Sequence, residues 1–164
     1  MTILDAEAAY ARLRDAIAKT ESLAQSLKLI GVHSGGAWIA ERLQRDLGLA
    51  EPIGTLSSAF HRDDYSRRGL PSDIKSTQLP FDIDGTDILL VDDILFTGRT
   101  VRAALNEIFD YGRPARVRLA VLIDRGGREL PVAADFCGLT YPLPADRSFV
   151  LTRDQHSRFN LAIE

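Results

Sequence analysis

The sequence predicts an α/β fold, a mostly parallel twisted sheet flanked by helices. Short apolar runs recur at residues 27–32, 53–60, 87–91 and 117–123, and stretches with helical spacing of apolar residues precede or separate most of them. Several junctions carry a tight, polar, glycine-containing turn. Strands buried on both faces read as unbroken apolar runs, and a helix between two of them makes a right-handed crossover.

In chain order, Ala9, Leu13, Ile17 and Leu23 fall near helical spacing and predict a helix over residues 5–26, with Asp5 placed to cap its first amides. Residues 27–32 then predict a strand, His33, Ser34, Gly35 and Gly36 a turn, and residues 37–47 a helix. Residues 53–60 are extended, and residues 61–80 form a charged stretch with little periodicity; a stretch so long without structure is usually functional or disordered. The run 87–91 predicts the next strand, residues 100–111 a helix that Gly112 stops, and residues 117–123 another strand. We find no internal repeat or low-complexity linker, so residues 1–164 read as one domain.

A chain of 164 residues buries about 70% of the surface its unfolded form exposes, enough for an independent core. Cys137 has no second cysteine to pair with, which suits a reducing cytoplasm. No apolar run approaches the roughly 20 residues needed to span a bilayer, and no basic stretch precedes an apolar core at the start, so a cytoplasmic protein without membrane contact is expected. The formal charge of -3 supplies no global attraction to nucleic acid; binding there would need a local patch, for which Arg113, Arg116, Arg118, Arg125 and Arg128 are the candidates.

The chemistry concentrates after the strand at 87–91. Asp92 and Asp93 are expected at its end, where charge is tolerated only if water, metal or ligand receives it, so they should face a cleft. Ile94, Leu95 and Phe96 lead to Thr97, Gly98, Arg99 and Thr100, a loop opening a helix. Its amides, two hydroxyls and the helix dipole suit a phosphate, with Gly98 expected to permit close approach and Arg99 to add a charge-assisted bond. Adjacent carboxylates beside that cradle suit ribose hydroxyls or a magnesium-bound sugar. Helix capping alone would explain Asp93 or Thr97 singly, but not the whole set. Neither G-x-x-x-x-G-K-[ST] nor G-x-G-x-x-G occurs.

This hydrophobic strand, acid pair, apolar spacer and T-G-x-T resemble the signature of the type I phosphoribosyltransferases. Residues 60–66 (F-H-R-D-D-Y-S) and 113–131 (R-P-A-R-V-R-L-A-V-L-I-D-R-G-G-R-E-L-P) are similar to the PyrR family of pyrimidine operon regulators, whose members can double as uracil phosphoribosyltransferases. The resemblance covers residues 29–150 and implies the flanked sheet plus a small hood built from segments outside the core. It implies that phosphoribosyl pyrophosphate and uracil yield UMP and pyrophosphate, that magnesium arrives bound to substrate, near Asp92 and Asp93, and that UMP or other pyrimidine nucleotides and an mRNA leader are partners of a homodimer or higher oligomer.

By the same resemblance, Asp92, Asp93, Ile94, Leu95, Phe96, Thr97, Gly98, Arg99 and Thr100 bind the phosphoribosyl group, and His33, Ser34, Gly35 and Gly36 face pyrophosphate. Arg62, Asp63, Asp64 and Tyr65 belong to a flexible loop that closes over the reaction, Arg62 joining Asp92 and Asp93 as catalytic. Asp124 and Arg125, with residues 130–136, form the base pocket, and Arg125 and Arg128 touch RNA.

Two departures stand out. The corresponding pyrophosphate loop commonly carries lysine and arginine where this chain has His33 and Gly35. Charge-assisted bonds are worth ~1.5–3 kcal/mol each, so their loss implies a weaker transferase, or a nucleotide-sensing regulator as the alternative. Gly127 stands where the family often has histidine. A serine hydrolase is a remoter alternative: Val32, His33, Ser34, Gly35 and Gly36 nearly match G-x-S-x-G, with Asp124 and His156 following. A purine-specific phosphoribosyltransferase is a further one.

Overall fold

The computed structural model describes residues 2–20, 27–57 and 76–164. Its centre is a five-stranded, wholly parallel sheet. The strands are β2 (Leu27–Val32), β3 (Gly54–Leu56), β4 (Asp87–Leu95), β5 (Arg116–Asp124) and β6 (Phe136–Thr140), in the order β3-β2-β4-β5-β6. Helices α1 (Ala6–Ala18) and α2 (Gly35–Asp46) cover one face, and α3 (Arg99–Tyr111) covers the other.

Alternation along the strands builds both cores. Leu29, Leu89 and Val91 pack with Leu13, Ile17, Ile39 and Leu43 from α1 and α2. Ile30, Val32, Ile88 and Leu90 point the opposite way, onto Val101, Ala104 and Ile108 of α3. Both faces of these central strands are therefore mostly apolar, which is why they appear as runs rather than alternating patterns.

A second, antiparallel sheet joins β1 (Thr2–Leu4), β7 (Phe149–Arg153) and β8 (Phe159–Ile163) in the order β1-β8-β7. Leu151, Phe159 and Leu161 of this sheet belong to the same core as α1 and α2. It stands outside the parallel sheet, as the small hood was expected to.

Several boundaries differ from the periodicity. The first helix ends at Ala18, short of residue 26, and Leu23 lies outside the described residues. Helix α2 begins two residues earlier than expected, at Gly35. Strand β4 runs four residues past Val91 because β5 continues to pair with it, Asp92 opposite Val121 and Leu95 opposite Asp124. The segment 61–80 is anchored at its end, where Gln78 exchanges backbone hydrogen bonds with Thr55 and Thr77 accepts one from the Ser57 amide. Arg62, Asp63, Asp64 and Tyr65 lie outside the described residues.

One polar cluster ties α1, α2 and β8 together. Glu7 accepts two bonds from Arg42 at 2.9 and 2.7 Å and one from the Phe159 amide at 2.7 Å, while the Arg42 guanidinium lies 4.1 Å from the centre of the Tyr10 ring. The bonds from Arg42, opposed by burial and aided by the Phe159 amide, hold the Glu7 carboxyl below its ordinary range. Its stabilisation is present above the unfolded value of 4.5 and fades as pH falls through the lower folded value. Glu7→Gln is expected to reduce unfolding free energy by about 1.5–3 kcal/mol near neutral pH. The difference from the parent should shrink below pH 4.5 in denaturant titrations; a difference that grew there would contradict the assignment.

Candidate active site

An open cleft of about 650 Å³ lies at the carboxyl end of β4, where open α/β sheets place their ligands. Its lining runs without a break from Asp92 to Val101 and adds Val32, Arg125 and Glu129. Ala145, Arg147, Ser148 and Phe149, leading into β7, complete the wall. Sequence patterning gave no signal for this last segment, which reaches the cleft through tertiary packing.

Asp92 and Asp93 both line the cleft but are not equivalent. They sit inside β4 rather than at its end, so their backbones are held by the sheet. Asp92 is only 6% exposed, and its Oδ1 accepts the Asp93 amide at 2.8 Å. Asp93 is half-buried, and its Oδ1 accepts the Ile94 amide at 2.8 Å. The Asp93 carboxyl lies beside the start of α2: a Cβ on Gly35 would fall 2.3 Å from its Oδ2.

The turn at residues 33–36 joins β2 to α2, and its His33-Ser34 peptide is cis. The His33 amide donates to the Leu56 carbonyl at 3.0 Å, and Ser34 precedes α2 without a side-chain capping bond. Gly35 and Gly36 are buried in the first turn of α2, where a Cβ on Gly36 would lie 2.4 Å from the Val91 carbonyl oxygen. These glycines bring α2 against the strand that carries the acids.

The loop before α3 is held from behind. The Thr97 carbonyl accepts the amides of Glu129 and Leu130 at 2.9 and 3.0 Å, and the Thr97 hydroxyl oxygen accepts the Arg99 amide at 3.2 Å. Gly98 has φ +94°, and a Cβ there would lie 2.2 Å from Val132 Cγ2, so the missing side chain also makes room for Val132. With their backs fixed, the first amides of α3, which have no partner within the helix, belong to residues lining the cleft. Gly98→Ala is expected to cost about 1–3 kcal/mol in backbone strain, besides displacing Val132. Chemical denaturation measures this; an unchanged midpoint would mean the turn relaxes freely.

Arg99 donates to Glu129 across the mouth of the cleft at 2.8 Å, both side chains being half exposed. Asp124 does not line the cleft: its carboxylate accepts Arg128 at 2.5 Å and the Gly126 amide at 3.0 Å. Arg125 lines it but is 5% exposed, donating to the carbonyls of Leu143, Pro144 and Arg147. Burial draws its guanidinium below the ordinary value.

A family model described as the phosphoribosyl transferase domain matches residues 1–150. The bifunctional protein PyrR of Ralstonia nicotianae is 53% identical over 155 residues, covering 92% of this chain and 87% of its own. That of Pseudomonas aeruginosa is 52% identical over 119 residues, covering 73% and 70%. This chain belongs to the PyrR family of phosphoribosyltransferases. Among solved structures, a hypoxanthine-guanine phosphoribosyltransferase of Bacillus anthracis aligns with a TM-score of 0.68 at 20% identity, covering 92% of this chain and 87% of that one, and so supports the fold.

For this PyrR-family chain, the arginines expected to form an RNA patch are dispersed. Arg116 and Arg118 pair with Asp87 at the start of β4 and β5, the end of the sheet away from the cleft. Arg113 donates to the Phe109 carbonyl. Arg128 donates to the Val132 and Phe96 carbonyls and to Asp124, and Arg125 is buried. The serine-hydrolase alternative also lacks a relay: Asp124 is engaged by Arg128, and the His156 ring meets Gln155. Among the described residues, no cluster of three or more acidic, histidine or cysteine side chains could hold a metal by itself. No described helix is long and apolar enough to cross a membrane.

Proposed function

We propose that the chain, working as one folding unit, transfers the phosphoribosyl group of phosphoribosyl pyrophosphate to uracil, forming UMP and pyrophosphate. The observation that carries this is the continuous cleft wall from Asp92 to Thr100, which unites two carboxylates with a helix-opening loop. In this reading Asp92 and Asp93 accept the ribose hydroxyls and stabilise positive charge developing on the sugar. Ile94, Leu95, Thr97, Gly98, Arg99 and Thr100 cradle the 5-phosphate through amides, hydroxyls and helix dipole.

The bond from ribose C1 to pyrophosphate oxygen breaks with its electron pair leaving on pyrophosphate, the bond from C1 to uracil N1 forms, and the N1 proton passes to solvent. His33, Ser34, Gly35 and Gly36 face pyrophosphate from the α2 side. The two cleft carboxylates fit a magnesium ion that arrives on the substrate, where it would neutralise pyrophosphate as a leaving group. Arg62, Asp63, Asp64 and Tyr65 lie outside the described residues, and their part in the reaction rests on the family resemblance alone.

Pyrophosphate release with magnesium, phosphoribosyl pyrophosphate and each nucleobase in turn tests this. Release with uracil alone is expected; release only with a purine, or with no base, would refute it. The kinship to proteins named bifunctional supports a second role in pyrimidine gene expression, through an mRNA leader and a homodimer or higher oligomer. Filter binding of leader RNA with and without UMP tests that role. Because Arg125 and Arg128 are engaged internally, substituting other exposed cations should matter more to RNA than substituting these two.

A further inference from the structure

Phe96 is a large aromatic that the fold leaves 36% exposed in the cleft, yet it is held on several sides. The Arg125 guanidinium lies 3.8 Å from the ring centre. Gly127, at φ +74°, passes so close that a Cβ there would fall 2.5 Å from the ring's Cε2. Arg128 donates to the Phe96 carbonyl at 2.7 Å.

Arg125 is itself an expensive group to place there. It is buried, its bonds go to three backbone carbonyls, and its Nε has no partner among the described residues. A buried cation satisfied only by carbonyls costs more than an exposed one. What it accomplishes is mechanical: one guanidinium joins the Phe96 ring to the segment 143–147, which leads into the opposite wall of the cleft. The result is a partly exposed aromatic ring, braced by Arg125 and Gly127, lining the cleft between the acids and the helix-opening loop in the chain. A face that offers no hydrogen bond suits a planar heteroaromatic ring held by stacking.

We infer that the open face of Phe96 is the stacking platform for the nucleobase, with Arg125 the positioning residue that holds the platform and the 143–147 segment in register. This rests on the phosphoribosyl reading of the cleft and adds the group that takes the base. It moves Arg125 from direct base contact to support, and Phe96 from the sugar phosphate to the base.

Calorimetric binding of UMP and of ribose 5-phosphate, which lacks the base, separates the roles. Phe96→Ala should weaken UMP roughly tenfold or more and change ribose 5-phosphate by less than about twofold, whereas Phe96→Tyr should preserve both. Arg125→Lys should weaken UMP selectively, and adding it to Phe96→Ala should cause little further loss, because it acts through the ring. Unchanged UMP affinity in Phe96→Ala, or equal losses for the two ligands, overturns the inference. A parent protein that binds ribose 5-phosphate no more weakly than UMP also overturns it. A parent that binds neither ligand overturns the phosphoribosyl reading instead.

Discussion

Replacing Asp92 and Asp93 together by asparagine should lower kcat/KM for phosphoribosyl transfer by roughly a thousandfold or more, since removing even one preorganised electrostatic group costs about 10²–10³ in rate. The substitution keeps side-chain shape and leaves an oxygen for the Asp93 and Ile94 amides, which now bond to Asp92 and Asp93 at 2.8 Å. It removes both negative charges from the cleft wall. The fold should therefore survive, with cooperative unfolding retained in a thermal scan, while donor binding measured by calorimetry disappears. Activity within tenfold of the parent would mean that the acids do not meet the sugar. Because Asp92 is the more buried of the two, its single variant should shift stability more than that of Asp93.

Gly36→Ala is expected to have the second largest effect, through packing. The added methyl would stand 2.4 Å from the Val91 carbonyl oxygen and 3.0 Å from the Asp92 Cα. Both are backbone atoms of the central strand, which cannot swing aside as a flexible side chain would. Helix α2 must lift instead, and Gly31 shows how little slack exists, since a Cβ there would lie 2.6 Å from the Ala37 Cα. Overpacking of this kind costs about 1–3 kcal/mol and occasionally more. It should lower Tm by several degrees and depress kcat/KM beyond what instability explains, because α2 borders Asp93. A variant with parental Tm and activity would show that α2 is not seated against β4 as described.

The central strands and the acid-to-threonine loop were legible because local signals carry them. Residues 88–91 are apolar on both sides of the strand, and the T-G-x-T turn opens a helix directly. The continuation of β4 through Asp92 and Asp93 was not legible, because acids normally end a buried strand. Only pairing with β5 keeps them in register, and that partner lies far along the chain. Strands β6, β7, β8 and β1 escaped for a related reason: they are short, and their pairing partners rather than their own patterns define them.

Site residues divide the same way. The adjacency of Thr97 to Thr100 follows from chain continuity, and the cleft-lining place of residues 145–149 does not. The resemblance implied a base pocket at Asp124 and Arg125; in the fold Arg125 bonds to backbone carbonyls and Asp124 to Arg128, pairings that no local pattern announces. Gly98 was recognisable as a loop residue, but the neighbours that crowd positions 98 and 127, Val132 and Phe96, emerge only in three dimensions.

The antiparallel pairing of Thr2 with Ile163 sets an order of events during synthesis on the ribosome. The parallel sheet has all its strands once residue 140 has emerged, whereas β1 must wait for β8, more than 150 residues later, before it finds a neighbour. Contacts of such sequence separation form late, so the hood is completed after the parallel sheet it stands beside.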